Sequence, residues 1–555
     1  MMRFALVVIT ALATGALGGC RCEPEGGGPP PVASAKAPVP VPEGLAADLT
    51  VADPQAFFER LRTQAGGPLL LMPRTFGGLV VNLFGLPLTA ADLVDEHLAA
   101  VGAVRVSAAG VEQALAIHVR DGGRFVSAVT AGADAGFVAR RAGEITWLDG
   151  QPKLREASLP VTLGVVDHYL VAGNDAAAVE HLGLYLARTA APVAKTEHDL
   201  EVKVADGPLR ELVASRLSAL QLLGLTRQSL PAPLTEMGGL DDALATFGDL
   251  FALLGAGQAS LDLRDGRLDV QASFAARDDA ARSALAARPT TQAKPLLDLP
   301  DDTVVAVTWA QSAKSREAAA GASATAILTA LSIAKADREG VEPELSKALT
   351  AIAEGRGDDT MLAARCTGVG ITGMLRGGSK DAERLTGGLE ALLALREREP
   401  IARAFEEAGV QAKASTTRAR HIPDDVHLLR LERAKTPADE DAPPAIDLRY
   451  VVTAERYYAA AGMESLDTLQ LLHQPDPDHA WRQREAIAAF VDRLPDAVWL
   501  GVVADPQGVH ACFQGKPGGS FATPLTLTVR PGAEGGLALR LEATASLLRV
   551  AAQQL

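Results

Sequence analysis

Two histidines and two aspartates lie within nine residues of one another, the densest group of metal-ligand side chains in the sequence. The stretch HQPDPDHAW begins at His473 and also contains Asp476, Asp478 and His479. Imidazole and carboxylate groups bind zinc, so a metal site at His473 and His479 is one hypothesis. Asp476 followed by Pro477 is also typical of a helix start, with a capping side chain and an acid in the first turn. The cap explains both aspartates, the other ligands are unidentified, and we predict no metal.

Three glycines in TGVGITG have the G-x-G-x-x-G spacing of a dinucleotide-binding turn: Gly368, Gly370 and Gly373. In such turns a helix opens directly after the third glycine, because its N-terminus holds the pyrophosphate. Here Gly377 and Gly378 follow four residues later. We therefore expect a glycine-rich strand or turn and predict no cofactor.

Serines that could act as nucleophiles have no recognisable base beside them. Ser379 and Ser520 each follow a Gly-Gly pair, but the sequence contains no G-x-S-x-G nucleophile elbow. His168 and His181 fall in a strand and a helix, where isolated histidines more often pack or face solvent than act as catalysts. The sequence therefore predicts no catalytic residue and favours a non-catalytic protein, although residues distant in sequence often converge in a fold.

Two of the four cysteines lie in the body of the chain, and both fall in strand-like segments. An oxidising compartment permits a disulfide between Cys366 and Cys512. Two buried free thiols fit the same pattern, and the sequence leaves both alternatives open. The other two cysteines, Cys20 and Cys22, follow an apolar leader.

Composition indicates a large, acidic, globular protein. A chain of 555 residues is long for one hydrophobic core, so two or more domains are expected. Apolar residues make up 48% and aromatic residues only 4%, so Ala, Leu and Val must build most of the core. The net charge of −15 repels nucleic-acid backbones, and no run of Lys or Arg overrides it. We predict no nucleic-acid partner.

Turn and capping signals predict antiparallel strands joined to helices. The pentapeptide VADPQ occurs at 51–55 and 503–507, each time after an apolar run, and its Asp-Pro step predicts a strand-to-helix corner. Asp265-Gly266 predicts a two-residue hairpin turn, and the same theme is predicted around 121–123 and within 525–543. Such tight turns require antiparallel strands.

Recurring segments predict that the body is duplicated. Residues 165–187 and 451–472 both have the pattern strand, short turn, helix. We predict two related α+β halves, 44–295 and 296–555, each an antiparallel sheet with helices packed on one face.

The most apolar stretch of the body, 68–88, contains prolines, a Gly-Gly pair and an arginine that argue against a membrane-spanning helix. We predict that this stretch packs in the core. A surface groove for an acyl chain or a partner segment is the alternative.

The N-terminus has the features of an export signal. Arg3 is the only charge before Cys20, and the apolar run from Phe4 to Leu17 is shorter than the roughly 20 residues that span a bilayer. The sequence Leu17-Gly18-Gly19-Cys20 resembles the lipobox of bacterial lipoproteins. The resemblance implies cleavage of residues 1–19, a diacylglyceryl group on the Cys20 thiol and a third acyl chain on its amine. A plain secretory leader with a coincidental cysteine and a buried N-terminal helix are the alternatives.

Residues 20–43 predict a tether between this anchor and the body. They are rich in proline and glycine, lack the apolar residues of a core, and predict an extended, semi-rigid segment. Arg21 stands where the lipoprotein resemblance associates Asp with retention at the inner membrane. The resemblance therefore implies an outer-membrane protein that faces the periplasm.

The body is similar in pattern to duplicated α+β envelope proteins of unknown function in Gram-negative bacteria. Its Asp-Pro corners and Asp-Gly hairpins carry this resemblance, which implies an envelope location and no particular substrate. We predict a membrane-anchored lipoprotein that acts as a non-catalytic scaffold and binds an envelope protein or an apolar ligand. The alternatives are a periplasmic hydrolase with dispersed active-site residues and a lipid or lipoprotein carrier that uses residues 68–88.

Overall fold

A computed structural model describes residues 36–66, 70, 72–108, 110–131, 136–150, 161–208, 250, 252–368, 370–433, 445–491, 493–513, 524–544 and 547. The predicted leader, Cys20 and the tether up to residue 35 lie outside these residues. The chain divides into two compact units. Unit 1 comprises Met1–Val213, Gly255–Arg277 and Ala543–Leu555, and unit 2 comprises Ala214–Leu254 and Asp278–Glu542. The fold is mixed α+β with antiparallel strands, as the sequence predicts.

Among the described residues, unit 1 contains ten strands. They are β1 (Leu45–Val51), β2 (Ala100–Ser107), β3 (Gly110–His118), β4 (Phe137–Ala142), β5 (Ile145–Gly150), β6 (Thr162–Val166), β7 (Tyr169–Gly173), β8 (Leu200–Val204), β9 (Leu254–Arg264) and β10 (Arg267–Ala276). Neighbours pair in the order β4-β5-β6-β7-β3-β2-β1-β8-β9-β10. The helices are α1 (Pro54–Ala65), α2 (Phe76–Phe84), α3 (Gly122–Thr130), α4 (Ala176–Tyr185) and α5 (Ala191–Val193).

Helices cover both faces of the unit 1 sheet, so the prediction of helices on one face is wrong. Ile117 of β3 packs with α2 and α3, whereas its neighbour Ala116 packs with α4. Successive side chains of a strand point to opposite faces, and here both are apolar and buried. Strands that are apolar on both faces need cover on both sides, because each exposed apolar face would cost hydrophobic free energy.

The predicted hairpin around 121–123 is also wrong. Asp121 is the N-cap of α3, and its Oδ1 accepts a hydrogen bond from the backbone N–H of Arg124 at 2.9 Å. Phe125 and Val129 follow four residues apart and are both fully buried. This helical spacing and the cap outweigh the turn tendency of Asp-Gly-Gly. The hairpin turn at Asp265-Gly266 is confirmed, with positive φ angles of 51° and 70°.

Both VADPQ segments form the predicted strand-to-helix corners. The Asp53 side chain accepts a hydrogen bond from the N–H of Ala56 at the start of α1. Asp505 does the same for Gly508 at 3.1 Å, at the start of the helix Pro506–Phe513. Each proline occupies the first turn, where its missing N–H costs no hydrogen bond.

Two segments of unit 1 refine further predictions. The stretch 165–187 contains a second strand, β7, between its turn and α4. Within 68–88, the apolar side chains Leu79, Val80, Val81 and Phe84 of α2 are buried in the unit 1 core, as predicted.

Unit 2 also has ten strands in the part of the chain that the structure describes. They are β11 (Thr303–Ala310), β12 (Arg356–Thr367), β13 (Gly370–Ser379), β14 (Val410–Thr417), β15 (Val426–Arg433), β16 (Ala445–Val452), β17 (Arg456–Gly462), β18 (Leu500–Ala504), β19 (Leu525–Pro531) and β20 (Leu537–Thr544). Neighbours pair in the order β14-β15-β16-β17-β13-β12-β11-β18-β19-β20. The predicted hairpin within 525–543 is therefore confirmed as β19 and β20.

The helices of unit 2 are α6 (Asp279–Ala286), α7 (Ala313–Ala330), α8 (Glu342–Gly355), α9 (Ala382–Ala394), α10 (Glu399–Glu407), α11 (Ser465–His473), α12 (Glu485–Val491) and α13 (Pro506–Phe513). Leu472 of α11 packs on Met361 and Met374 of the sheet, together with Trp481. Helices α7 to α10 enclose a separate apolar cluster that contains Leu328, Leu345 and Ile401 among other residues.

A disulfide joins Cys366 of β12 to Cys512 of α13, with their Cα atoms 5.9 Å apart. Of the two alternatives that the sequence leaves open, the structure has the bonded one. The bond closes a loop of 146 residues and lies beside buried Val304. It therefore fixes α13 against the sheet from a point distant in sequence.

Loss of this disulfide should destabilise unit 2. Closing a loop of 146 residues restricts the unfolded chain and stabilises the fold by about 5 kcal/mol at most. We expect Cys366→Ala/Cys512→Ala to unfold at lower denaturant concentration than the wild type, measured by circular dichroism in urea. Dithiothreitol should shift the wild type towards the double variant and leave the double variant unchanged. A wild type that is equally sensitive to urea with and without dithiothreitol would contradict the expectation.

Candidate functional site: an arginine-lined cavity in unit 2

A cavity of about 360 Å³ opens at one end of the unit 2 sheet. Strand β11 ends there, β12 begins there, β13 ends there and β17 begins there. Its wall carries two arginines, one aspartate, four threonines and a glutamine; these are Arg376, Arg456, Asp359, Thr290, Thr291, Thr308, Thr360 and Gln292. The apolar part of the wall comes from Pro295, Leu296 and Met361.

Strand register brings the arginines together. Arg376 of β13 lies opposite Met361 of β12, and Arg456 of β17 lies opposite Gly378 of β13. Arg376 is therefore two residues before the position that faces Arg456, and both side chains reach the same cavity. Sequence separation between them is large, so only the pairing of β13 with β17 makes them neighbours.

The segment that contains Thr290 and Thr291 forms part of the cavity wall. Thr291 exchanges two backbone hydrogen bonds with Val498, at 2.8 and 2.9 Å. Ala293 and Leu296 are buried in the same apolar cluster as Met361. This segment is thus held by backbone pairing with Val498 and by apolar packing in the core of unit 2.

Asp359 is held at the rim by a glycine. The N–H of Gly378 donates to Asp359 Oδ1 at 3.1 Å, and a Cβ at Gly378 would lie 2.5 Å from that oxygen. Asp359 Oδ2 lies 3.8 Å from Arg456 Nη1. Arg456 and Asp359 are both nearly half-exposed, so this ion pair is weak in water.

Arg376 is the more buried of the two arginines and has less support. Its Nη2 donates to the carbonyl oxygen of Pro295 at 3.4 Å, which is its one hydrogen bond within the described residues. Burial lowers the pKa of the Arg376 guanidinium, with a smaller contribution from the positive charge of Arg456. A guanidinium has five N–H donors, and most of these donors are available to a molecule in the cavity.

The cavity combines two positive charges with one negative charge and several hydroxyl groups. Guanidinium groups bind carboxylates and phosphates through paired hydrogen bonds, and threonine hydroxyls add donors. Ser379, at the end of β13, has a buried Oγ without a hydrogen-bond partner among the described residues. Among the described residues, no histidine or carboxylate forms the hydrogen bond with this hydroxyl that would activate it as a nucleophile. The arrangement is suited to holding an anionic group.

One end of the unit 1 sheet gathers histidines. His118 ends β3, and its ring lies 6.1 Å from that of His168 and 5.2 Å from that of Tyr169, centroid to centroid. His118 Nδ1 lies 3.6 Å from Asp95 Oδ2. His168 occupies the turn between β6 and β7 rather than the strand that the sequence predicts. Burial lowers the pKa of His118, against the opposing effect of Asp95.

His181 has a structural role in unit 1. Its Nδ1 lies 2.9 Å from Glu112 Oε2, and Arg105 Nη1 donates to both oxygens of Glu112 at 2.8 and 2.9 Å. Burial alone would raise the pKa of Glu112, but the hydrogen bonds from His181 and Arg105 outweigh it and lower the pKa. This cluster pins α4 to β2 and β3.

The residues that were considered as metal or cofactor candidates lie in separate elements. His473 ends α11 beside the ring of Tyr458, and His479 lies in an exposed turn that Asp476 caps. Among the described residues, no group of three or more His, Cys, Asp or Glu side chains could hold a metal ion. Gly368, Gly370 and Gly373 lie at the turn from β12 to β13 and in β13 itself.

Two other features bear on the sequence-based predictions. Ser520 and Cys20 lie outside the described residues, and within those residues no helix is long and apolar enough to cross a membrane.

Sequence reasoning missed Arg376 and Arg456. The available signal was Arg376 itself, a charged residue at a position of an apolar strand that faces the core. Ser332 and Lys335 have the S-x-x-K spacing of some serine nucleophiles, and both are exposed after α7.

Comparison with known proteins supplies no family. No family model and no curated protein matches the chain. Among solved structures, crystal forms I and IV of TP0453 have 12% identity and a TM-score of 0.23, and they cover 42% of this chain and 77% of that one. Crystal form III has 13% identity, the same TM-score, and coverage of 45% and 86%. A likeness this weak carries no argument about function.

The lowered pKa of His118 predicts acid sensitivity in unit 1. The unfolded chain takes up this proton near pH 6.5 and the folded chain only at lower pH, so stability is lost as pH falls below about 6.5. We expect His118→Gln to show a smaller fall in melting temperature between pH 7 and pH 5 than the wild type. His479→Gln, at an exposed position, is the control and should follow the wild type. Identical slopes for His118→Gln and wild type would contradict the assignment.

Proposed function

We propose that the protein is a lipid-anchored protein of the cell envelope whose body binds a ligand without transforming it. The observation that carries the binding proposal is the cavity of unit 2, which presents Arg376, Arg456 and threonine hydroxyls around an open volume. These groups hold and orient a molecule. A second candidate function is docking of an envelope protein.

The anchor proposal rests on the leader sequence and on how the body begins. Lys36 pairs with Asp167 at 2.8 Å, and Val39 exchanges two hydrogen bonds with the Thr189 hydroxyl. The body is thus engaged from residue 36 onward. The sequence predicts an extended segment from Cys20 to residue 35, which at about 3.1 Å per residue would span about 50 Å. Acyl chains on Cys20 would contribute about 0.8 kcal/mol per buried methylene and hold the protein at an outer membrane, facing the periplasm.

We propose further that the two halves of the body arose by duplication. The two strand orders are superimposable when each of β1 to β10 is matched with the strand ten numbers higher. In both units the first three strands pair in sequence, and the first strand lies in the middle of the sheet. In both, the eighth strand pairs with the other side of the first strand. Ten-stranded antiparallel sheets offer many possible orders, so agreement at each step favours a common ancestor.

Residue details support the same proposal. Arg105 faces Glu112 two positions before the β2–β3 turn, and Arg365 faces Thr372 at the same place before the β12–β13 turn. The turns end at Gly110 and Gly370, whose φ angles are +137° and +136°. The next helices, α3 and α9, are both capped by aspartate, Asp121 and Asp381. The VADPQ segments are not equivalent in this match, since one follows the first strand and the other follows the eighth.

Exposed apolar side chains favour the docking candidate. Leu362 is paired with Leu375, and Ile371 with Cys366, across β12 and β13. Ile371 and Leu375 are an even number of residues apart on β13, so Leu362 and Ile371 lie on the same face of the sheet. Ile446 extends the face on β16, and all three are 44–49% exposed. Large, partly exposed apolar residues that share a sheet face are typical of protein-binding surfaces.

The anchor is tested at Cys20. We expect mass spectrometry of protein from its native envelope to find a mature N-terminus at residue 20 with acyl chains, because the lipobox directs cleavage and modification there. Cys20→Ala should keep its leader and carry no lipid, and Cys22→Ala is the matched control that should be processed normally. An intact Met1, or an unmodified Cys20 sulfur in the wild type, would refute lipidation.

The ligand-binding proposal is tested by native mass spectrometry of protein purified from its own envelope in mild detergent. We expect the wild type to carry a bound mass that denaturation removes. Thr290→Trp places an indole at the cavity wall and should abolish that mass, whereas Ala318→Trp on the exposed side of α7 should retain it. A wild type without bound mass, or a mass that persists in Thr290→Trp, would refute binding in the cavity.

A further inference from the structure

The partly buried Arg376 differs from Arg316, a fully buried arginine of unit 2. Arg316 of α7 is 3% exposed, and its guanidinium donates to the carbonyl oxygens of Ala353 and Arg356 and to the Asp358 carboxylate, at 2.7 to 3.0 Å. Its positive charge and its donors are therefore satisfied within the fold. Such satisfaction is what burial of a charged group ordinarily requires.

Arg376 lacks that satisfaction. Within the described residues its guanidinium has one long hydrogen bond, to Pro295, and no carboxylate accepts a hydrogen bond from it. Asp359, the acid of the cavity, is committed to the Gly378 N–H and to Arg456. A charged side chain kept in this state faces a space large enough for a small molecule.

We infer that the cavity binds a small molecule through an anionic oxygen group, a carboxylate or a phosphoryl group, which pairs with Arg376. Arg456 lies at the rim and contributes a second positive charge. Thr308 lies on the same sheet face as Arg376, because both are paired with Met361, and its hydroxyl donates to the carbonyl oxygen of Thr360 at 3.2 Å. This inference rests on the proposed ligand-binding function and deepens it by naming the chemical class of the ligand.

The shape of the donor set explains why an oxyanion is favoured over a simple halide. A guanidinium presents parallel N–H groups that match two oxygens of one carboxylate or phosphate. The body as a whole carries excess negative charge, so long-range attraction of anions is absent and recognition depends on these short contacts. The negative charge of Asp359 repels any anion that enters, so a variant of Asp359 gives a second, independent test of the site.

Isothermal titration calorimetry of the full-length protein tests the inference with inorganic phosphate, acetate and chloride as separate probes. Phosphate or acetate should give saturable binding at low ionic strength, and the stronger of the two identifies the preferred group. Chloride should bind more weakly than either. Absence of saturable binding by both oxyanions, or binding of chloride as tight as theirs, would overturn the inference.

Variants locate the binding. Arg376→Gln should weaken oxyanion binding by about tenfold or more, because charge-assisted hydrogen bonds are lost. Arg376→Lys keeps the charge but not the paired donors, so its affinity for the oxyanion should lie between those of the wild type and Arg376→Gln. Arg403→Gln, on exposed α10, is the matched control and should bind as the wild type does. Unchanged affinity in Arg376→Gln would overturn the inference.

A variant that is expected to tighten binding distinguishes loss of the site from misfolding of the arginine variants. Asp359→Asn removes the opposing negative charge and keeps an oxygen for the Gly378 N–H, so it should tighten oxyanion binding several-fold. Equal or weaker binding in Asp359→Asn would count against the site. If no native ligand is found but these titrations succeed, the proposed function fails and the anion site stands. If a native ligand is found but the titrations show no binding, the proposed function stands and the anion site fails.

Discussion

The structure depends on strands that are apolar on both faces. In unit 1, neighbouring residues such as Ala116 and Ile117 are buried on opposite sides of one sheet. Helices must then cover both sides, and polar chemistry is displaced to the places where strands end. With few aromatic residues to fill space, Ala, Val and Leu build these layers, and small residues allow the helices to pack closely against the sheet. The cavity of unit 2 and the histidine group of unit 1 both lie at such strand ends.

Charged groups near the cores are mostly neutralised within the fold. Glu112 is paired with Arg105 and His181, and Asp302 accepts hydrogen bonds from Arg365. The His181–Glu112 and Arg365–Asp302 pairs join elements that are distant in sequence. All of these pairs disfavour alternative registers, since loss of one partner leaves an unpaired charge. Arg376 stands apart because its partners within the described residues are few. The contrast with Arg316, rather than the charge alone, makes its cavity the candidate site.

The proposed duplication allows Arg376 and Arg456 to be compared with the matched positions of unit 1. In the matched strand orders, Arg456 corresponds to Tyr169, since each begins the strand that pairs with the end of the third strand of its unit. Arg376 corresponds to Ala116, which is buried against α4. The same corner of the fold would then have kept an apolar packing position in unit 1 and gained a guanidinium in unit 2. Duplication followed by divergence at strand ends alters a site without disturbing the cores.

Local signals in the sequence were sufficient for the α+β class, for the Asp-Pro corners at Asp53 and Asp505 and for the Asp265-Gly266 turn. Each depends on a few adjacent residues whose backbone preferences are strong. The hairpin expected at Asp121 failed, because the helical spacing of Phe125 and Val129 buries more apolar surface than a turn there would. Second strands such as β7 were missed, since a short strand is indistinguishable from an apolar linker until its partner is known.

The sequence alone determined the lipobox-like leader, the acidic charge and the local corners, because these are properties of contiguous residues. Tertiary structure decided which cysteines meet, which strands are neighbours and which arginine has few hydrogen-bond partners among the described residues. Cys366 and Cys512 are 146 residues apart in sequence and meet only when α13 packs on β12. Arg376 and Arg456 share a cavity only because β13 pairs with β17. Long-range pairing is a collective result of burying both faces of the sheet, and no short stretch of sequence encodes it.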